Sequence, residues 1–204
     1  MADHGDDMRQ RLRRVGLAVL AGTLAGCAVD GGWMGAGDEA EYEQAHAAGQ
    51  LAAPRDNRFY VELHGDDRIQ VFADAAEYEH FRWTGRIERA VTAIGAGTQG
   101  QTVQYALNPV EAREQERRVG YQGAAQQMYD GRLGGHADRF YGEIHRDGRI
   151  YVFSDWATLQ AFRHDGRVTA TETFAALGPE QQTVIVAGPP EATLARFRAV
   201  HRLR

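Results

Sequence analysis

The chain has 204 residues with no lysine, one cysteine and one serine, and these scarcities limit the covalent bonds and catalytic sites that it can form. A single cysteine, Cys27, cannot form an intramolecular disulfide, so packing alone must hold the folded part together. Ser154, the one serine, is not in a G-x-S-x-G motif, and the sequence contains no Walker loop, H-E-x-x-H or C-x-x-C motif. We therefore expect neither an enzyme nor a bound cofactor.

The charge balance also argues against nucleic acid as a partner. The chain carries 23 arginines and 28 acidic residues, giving a formal net charge of −5. Nucleic-acid-binding domains carry a basic patch or stripe, and this sequence has no basic block in its main part.

The N-terminal region is typical of an export signal. Several arginines between positions 9 and 14 precede an apolar stretch from Val15 to Ala25. At about a dozen residues this stretch is too short to span a bilayer, which needs about 20 residues, and it suits the core of a signal peptide. It ends in Leu24-Ala25-Gly26-Cys27, which resembles the lipobox of bacterial lipoproteins.

The resemblance covers residues 8–28 and implies a membrane anchor. It implies that residues 1–26 are a signal peptide removed before Cys27, and that Cys27 is acylated and holds the protein on a membrane. Alanine at position 28, where aspartate would stand in the inner-membrane signal, implies the outer membrane, facing the periplasm of the bacterial envelope. Residues 27–57 are rich in glycine and alanine, which predicts a flexible tether.

A gapless internal repeat organises the rest of the chain. Residues 58–109 align with residues 139–190 at a constant offset, with 23 identities over 52 positions. We therefore predict two copies of one structural unit: repeat unit 1 at 58–120, a connecting segment at 121–138, and repeat unit 2 at 139–204.

Each unit is predicted to follow the order β-β-α-β-β-α. Alternating apolar residues indicate strands, Asp74 and Asp155 are placed as helix N-caps, and Gly85 and Gly166 as C-caps. The first hairpin was assigned a three-residue loop, because this register keeps its aliphatic residues on one face. The predicted fold class is α+β, with two tandem antiparallel four-stranded sheets, each covered by helices on one face.

The polar face of the first hairpin is the best candidate for a site. The simplest interpretation is a solvated sheet surface. A surface for a ligand or partner is the second interpretation, and a metal site is the third, with Glu62, His64, Glu143 and His145 as ligands if the two copies converge. The predicted surface consists of Tyr60, Glu62, His64 and Arg68 in unit 1, and of Tyr141, Glu143, His145 and Arg149 in unit 2.

Arg82 and Arg163 match between the copies near a helix C-terminus. There they complement the helix dipole or, alternatively, clamp a carboxylate or phosphate.

Three functions remain open at this point. The favoured one is a lipid-anchored module that binds or scaffolds an envelope protein or ligand, since a duplication without catalytic residues multiplies surface. The second is a carrier of a metal or small ligand that uses the Tyr-x-Glu-x-His strands. The third is a hydrolase with an acid pair outside any known motif.

Overall fold

The computed structural model describes residues 57–169 and 172–203, which belong to one compact unit. The predicted signal peptide, Cys27 and the part of the predicted tether before residue 57 lie outside the described residues. Among the described residues, no helix is both long and apolar enough to cross a membrane. The elements of the first half are β1 (Phe59–His64), β2 (Arg68–Phe72), α1 (Ala75–Thr84), β3 (Ala90–Ala93), β4 (Thr102–Ala106) and α2 (Pro109–Arg117). Those that follow are α3 (Ala124–Tyr129), β5 (Tyr141–Arg146), β6 (Arg149–Phe153), α4 (Trp156–Asp165), β7 (Glu172–Phe174), β8 (Thr183–Ala187) and α5 (Pro190–His201).

All eight strands form one mixed sheet, in the order β3-β4-β2-β1-β5-β6-β8-β7. The prediction of two antiparallel four-stranded sheets was wrong, although the repeated order of strands and helices was correct. Within each half the hairpins are antiparallel, whereas β2 pairs with β4 and β6 with β8 in parallel. The halves join because β1 pairs with β5 in parallel. This pairing satisfies the backbone hydrogen-bonding groups of the edge strand that each small unit would otherwise expose.

Equivalent residues of the two halves lie on opposite faces of the shared sheet. Tyr60 packs in one apolar core, beneath α3 and α4, whereas its repeat counterpart Tyr141 packs in the other core, beneath α1 and α5. The halves are thus related by an approximate twofold axis parallel to the strands. Helices cover both faces of the sheet, and the expectation of helices on one face was wrong.

The hairpin register also differs from the predicted one. Glu62 pairs with Val71 and His64 with Ile69, so Glu62 and His64 share a face with aliphatic residues. The predicted register assumed that one face of the strands is solvated, but both faces are covered here. In unit 2 the turn has two residues, Asp147 and Gly148, both with positive φ, as two-residue hairpins favour.

The predicted caps are confirmed. The Asp74 side chain accepts hydrogen bonds from the amides of Ala76 and Glu77, and Gly85 and Gly166 are left-handed, with φ of 69° and 67°. In unit 2 the Asp155 side chain accepts from the amide of Thr158.

The connecting segment holds a helix that the sequence analysis missed. Met128 of α3 is buried in the core beneath α3 and α4. In the first half, α3 therefore covers the sheet as α5 covers it in the second half.

Candidate metal centre

The fold encloses half of the predicted polar surface. Helices cover both faces of the sheet, so the interpretation as a solvated face was wrong for the side chains that they bury. The four buried side chains are Tyr60, Glu62, Tyr141 and Glu143. His64 and His145 are partly exposed, and Arg68 and Arg149 are exposed at the hairpin turns.

The matched residues of the two copies lie on opposite faces of the sheet. β1 and β5 are adjacent, and their register pairs Val61 with Glu143 and Glu62 with Ile144. Paired residues share a face and consecutive residues alternate, so Glu62 and Glu143 point in opposite directions. The two copies therefore form two separate clusters and do not converge on one four-ligand site.

The cluster around Glu143 brings two imidazoles to one buried carboxylate. Nε2 of His145 lies 2.6 Å from Glu143 Oε2, and Nε2 of His201 lies 2.9 Å from Oε1 and 3.0 Å from Oε2. The Tyr141 hydroxyl donates a hydrogen bond to Oε1. Glu143 is fully buried, the His201 side chain is 1% exposed, and the His145 side chain is 21% exposed.

His201 reaches this cluster from the last turn of α5. Phe197, one turn earlier, is buried in the same core, and its ring centroid lies 4.4 Å from that of His201. Arg82 of α1 anchors the end of the helix, because its Nη1 donates to the carbonyl of Val200 at 2.5 Å. Two different helices therefore hold the imidazole over β5.

Electrostatics keep Glu143 ionised despite its burial. Burial alone would raise the pKa of this carboxyl, but His201 and His145 outweigh it and hold the pKa well below its usual range. Burial, together with the Glu143 charge, raises the pKa of Tyr141, so this phenol stays protonated and donates.

The donor set fits a metal ion. Glu143, His145 and His201 each offer one ligand atom, and these atoms all lie within 4.8 Å of one another. Ligands bound tetrahedrally at 2.0–2.1 Å are about 3.4 Å apart, so small side-chain adjustments would suffice. The Tyr78 hydroxyl lies 3.5 Å from His145 Nε2 and flanks the group. Nε2 of His201 donates to the ionised Glu143, whereas its Nδ1 is buried and has no described hydrogen-bond partner.

The cluster around Glu62 has the same strand residues but a different third partner. The Tyr60 hydroxyl donates to the carboxylate, and His64 Nε2 lies 2.8 Å from Glu62 Oε2. Arg163 of α4 is the third partner, with Nε 2.6 Å from Oε1. Burial opposes ionisation of Glu62, but the hydrogen bond from His64 and the charge of Arg163 lower its pKa. A guanidinium cannot bind a metal, so this cluster is an ion pair.

No known protein family, curated protein or solved structure matches this chain. The function must therefore be argued from the site itself.

Two of the three candidate ligands, Glu143 and His145, were predictable from the sequence pattern, whereas His201 was not predicted. The prediction singled out histidines that match between the copies, and the aligned repeat ends at Pro190, before α5 reaches His201. The signal that could have found it is a histidine at the C-terminal end of the apolar stripe of α5.

Proposed function

We propose that this chain is a lipid-anchored protein of the bacterial envelope whose folded unit binds one divalent transition-metal ion through Glu143, His145 and His201. The observation that carries the proposal is the convergence of three ligand atoms, two of them on fully or almost fully buried residues. The anchor rests on the lipobox sequence at Cys27. Binding of a protein or another envelope component, which the duplication suggested, stays a prediction.

The ligand types favour a transition metal over calcium or magnesium. Two imidazole nitrogens and one carboxylate oxygen suit zinc and ferrous iron, among others. Calcium and magnesium instead take sets of oxygen ligands. Three protein ligands leave a coordination position for water or another group, as in sites that bind a further molecule.

The unequal clusters also support the proposal. Both copies keep tyrosine, glutamate and histidine on the strand, yet α4 supplies Arg163 to Glu62 whereas α5 supplies His201 to Glu143. A purely structural role would be met by either hydrogen-bond donor. The pair at Glu62 therefore provides an internal comparison for every metal experiment.

The test uses the full chain with Cys27→Ser, so that no thiol is present, stripped with a chelator. Titration with Co²⁺ followed by visible absorption, and competition with Zn²⁺, should give one site per chain. His201→Gln and Glu143→Gln should each weaken binding by more than the roughly 10- to 100-fold typical of losing an outer-shell partner.

His64→Gln is the matched control, because His64 is the repeat counterpart of His145 in the cluster with arginine. It should bind cobalt like the parent. If His64→Gln weakens binding as much as His201→Gln, or if the parent binds no metal, the proposal fails. Melting temperatures of the chelated variants separate loss of binding from loss of folding. Saturating Zn²⁺ should raise the melting temperature of the parent but not of His201→Gln.

A further inference from the structure

A cleft of about 240 Å³ lies beside Glu62, on the face of the sheet opposite the Glu143 cluster. It is smaller than the roughly 300–1,000 Å³ of pockets for drug-sized ligands, so it suits a small molecule. Ile69 and Ile144 give it an apolar wall, and Arg146, Arg163 and Gln160 give it a polar one.

The guanidinium of Arg146 lines the cleft and offers it hydrogen-bond donors that no described protein acceptor engages. Its guanidinium carbon lies 4.7 Å from the Phe162 ring centroid, and stacking on the ring holds it in place. The carboxylate described near it, that of Asp147, is 3.9 Å from its Nε, beyond hydrogen-bond distance. Among the described contacts, its terminal nitrogens donate to no protein acceptor.

Two further donor groups line the same wall. Arg163 lines this wall and uses Nε for Glu62 and Nη1 for the Tyr129 carbonyl at 3.0 Å, and its guanidinium stacks on the Tyr129 ring at 4.5 Å. Gln160 accepts from Arg163 through Oε1, but its Nε2 is buried without a described partner. An unpartnered buried donor is costly unless an acceptor binds there.

Glu62 does not cancel the positive charge of this wall. Its oxygens are already engaged by Tyr60, His64 and Arg163. The side chains that line the cleft include two guanidinium groups and one carboxylate, and the exposed Asp147 carboxylate, 3.9 Å from Arg146 Nε, is not among them.

We propose that this cleft binds a small oxyanion, a carboxylate or a phosphate, whose short apolar body lies against Ile69 and Ile144. Arginine forks match both groups in a bidentate geometry, and the Gln160 amide supplies a neutral donor beside them. This site is independent of the metal centre, because its residues lie on the other face and include none of the metal ligands.

The test is calorimetric titration of the full chain carrying Cys27→Ser, in chelator and at constant ionic strength, with inorganic phosphate and with benzoate as probes. We expect at least one probe to bind with one site per chain. Binding of phosphate alone assigns the cleft to phosphoryl ligands, and binding of benzoate alone assigns it to carboxylates. If neither probe binds, the proposal is overturned.

Variants separate this site from general charge attraction. Arg146→Gln should weaken binding at least tenfold, and Arg146→Lys should also weaken it because the fork is lost while the charge remains. Arg149→Gln removes an exposed arginine of the same hairpin outside the cleft and should leave the affinity unchanged. If Arg149→Gln weakens binding as much as Arg146→Gln, the cleft is not the binding site. Melting temperatures verify that all variants fold.

Discussion

Arg163 and His201 play corresponding parts on opposite faces of one sheet. Arg163 Nε lies 2.6 Å from Glu62 Oε1, and His201 Nε2 lies 2.9 Å from Glu143 Oε1. Each is a hydrogen-bond partner supplied by a helix to a buried glutamate of the repeated Tyr-x-Glu-x-His strand. The two copies keep the strand residues and also the matched Arg82 and Arg163, but His201, which lies beyond the aligned repeat, gives the Glu143 carboxylate a different partner.

The pairing of Glu143 with His201 predicts strong coupling in the metal-free protein. His201→Ala leaves the buried carboxylate with one imidazole and should lower the free energy of unfolding by about 3 kcal/mol. Urea unfolding of both single variants and of His201→Ala with Glu143→Gln should show a coupling energy of about 1–3 kcal/mol. His164→Ala, at an exposed histidine, serves as the control and should cost little. Additive single effects would contradict the direct pairing.

The ion pair at Glu62 predicts a loss of stability in acid. Its pKa is lowered in the folded state, so its contribution is present above the unfolded pKa of about 4.3 and is lost as pH falls through the folded pKa. Glu62→Gln should therefore be less stable than the parent at pH 7, and this difference should shrink as the pH is lowered below about 4. Urea unfolding of both proteins between pH 7 and pH 3 measures it. A difference that does not change with pH would contradict the lowered pKa.

Glu77 predicts the opposite pH dependence. Burial, together with the charge of Asp74, raises its pKa to about 7. A carboxyl group whose pKa is raised in the folded state contributes stability below its unfolded pKa, and this contribution is lost as the pH rises towards about 7. Glu77→Gln should match the parent at pH 4 and exceed its stability by about 1 kcal/mol at pH 8, allowing for solvent screening of a half-buried group. Thermal unfolding at both pH values tests this, with Glu116→Gln as a control on an exposed residue.

Exchanging glycine and alanine at two matched turn positions should change the free energy of unfolding with opposite sign in the two halves. Gly95 and its counterpart Ala176 both have positive φ, 71° and 55°. A Cβ at Gly95 would meet nothing within 4 Å, so Gly95→Ala should cost about 1 kcal/mol through strain alone. Ala176→Gly should instead stabilise by about 0.5 kcal/mol, since the relief of strain exceeds the added chain entropy. Urea unfolding of both variants decides it, and equal signs would contradict the matched geometry.

The lipobox predicts the fate of a Cys27→Ser variant in a bacterial host. Without the thiol that would be acylated, the protein should be released from membranes or accumulate as the uncleaved precursor. Membrane fractionation and the intact mass of the purified chain measure both outcomes. A Cys27→Ser protein that stays on the membrane at the mature mass would exclude the lipoprotein assignment.

Local chemistry made much of the fold predictable. Asp74 and Asp155 cap helices, and Gly85 and Gly166 end them, because these requirements are satisfied within a few residues of chain. The hairpin register failed for a reason that is not local. Its assignment assumed a solvated face for Glu62, whereas α3 and α4 cover that face.

Some residues of the candidate site were likewise predictable from local sequence, and one was not. Glu143 and His145 were predictable because both lie on one strand face, two residues apart, and both recur in the repeat. His201 follows Glu143 by 58 residues, and only the packing of α5 on the sheet brings their side chains together.

Neighbouring residues were enough to predict the repeated order of strands and helices and the caps, because each depends on local chemistry. The lipobox-like sequence at Cys27 in the same way predicts an anchor. The tertiary structure decided that β1 and β5 join the units into one sheet. That parallel pairing turns equivalent residues to opposite faces, where the packing of α4 brings Arg163 to Glu62 and the packing of α5 brings His201 to Glu143.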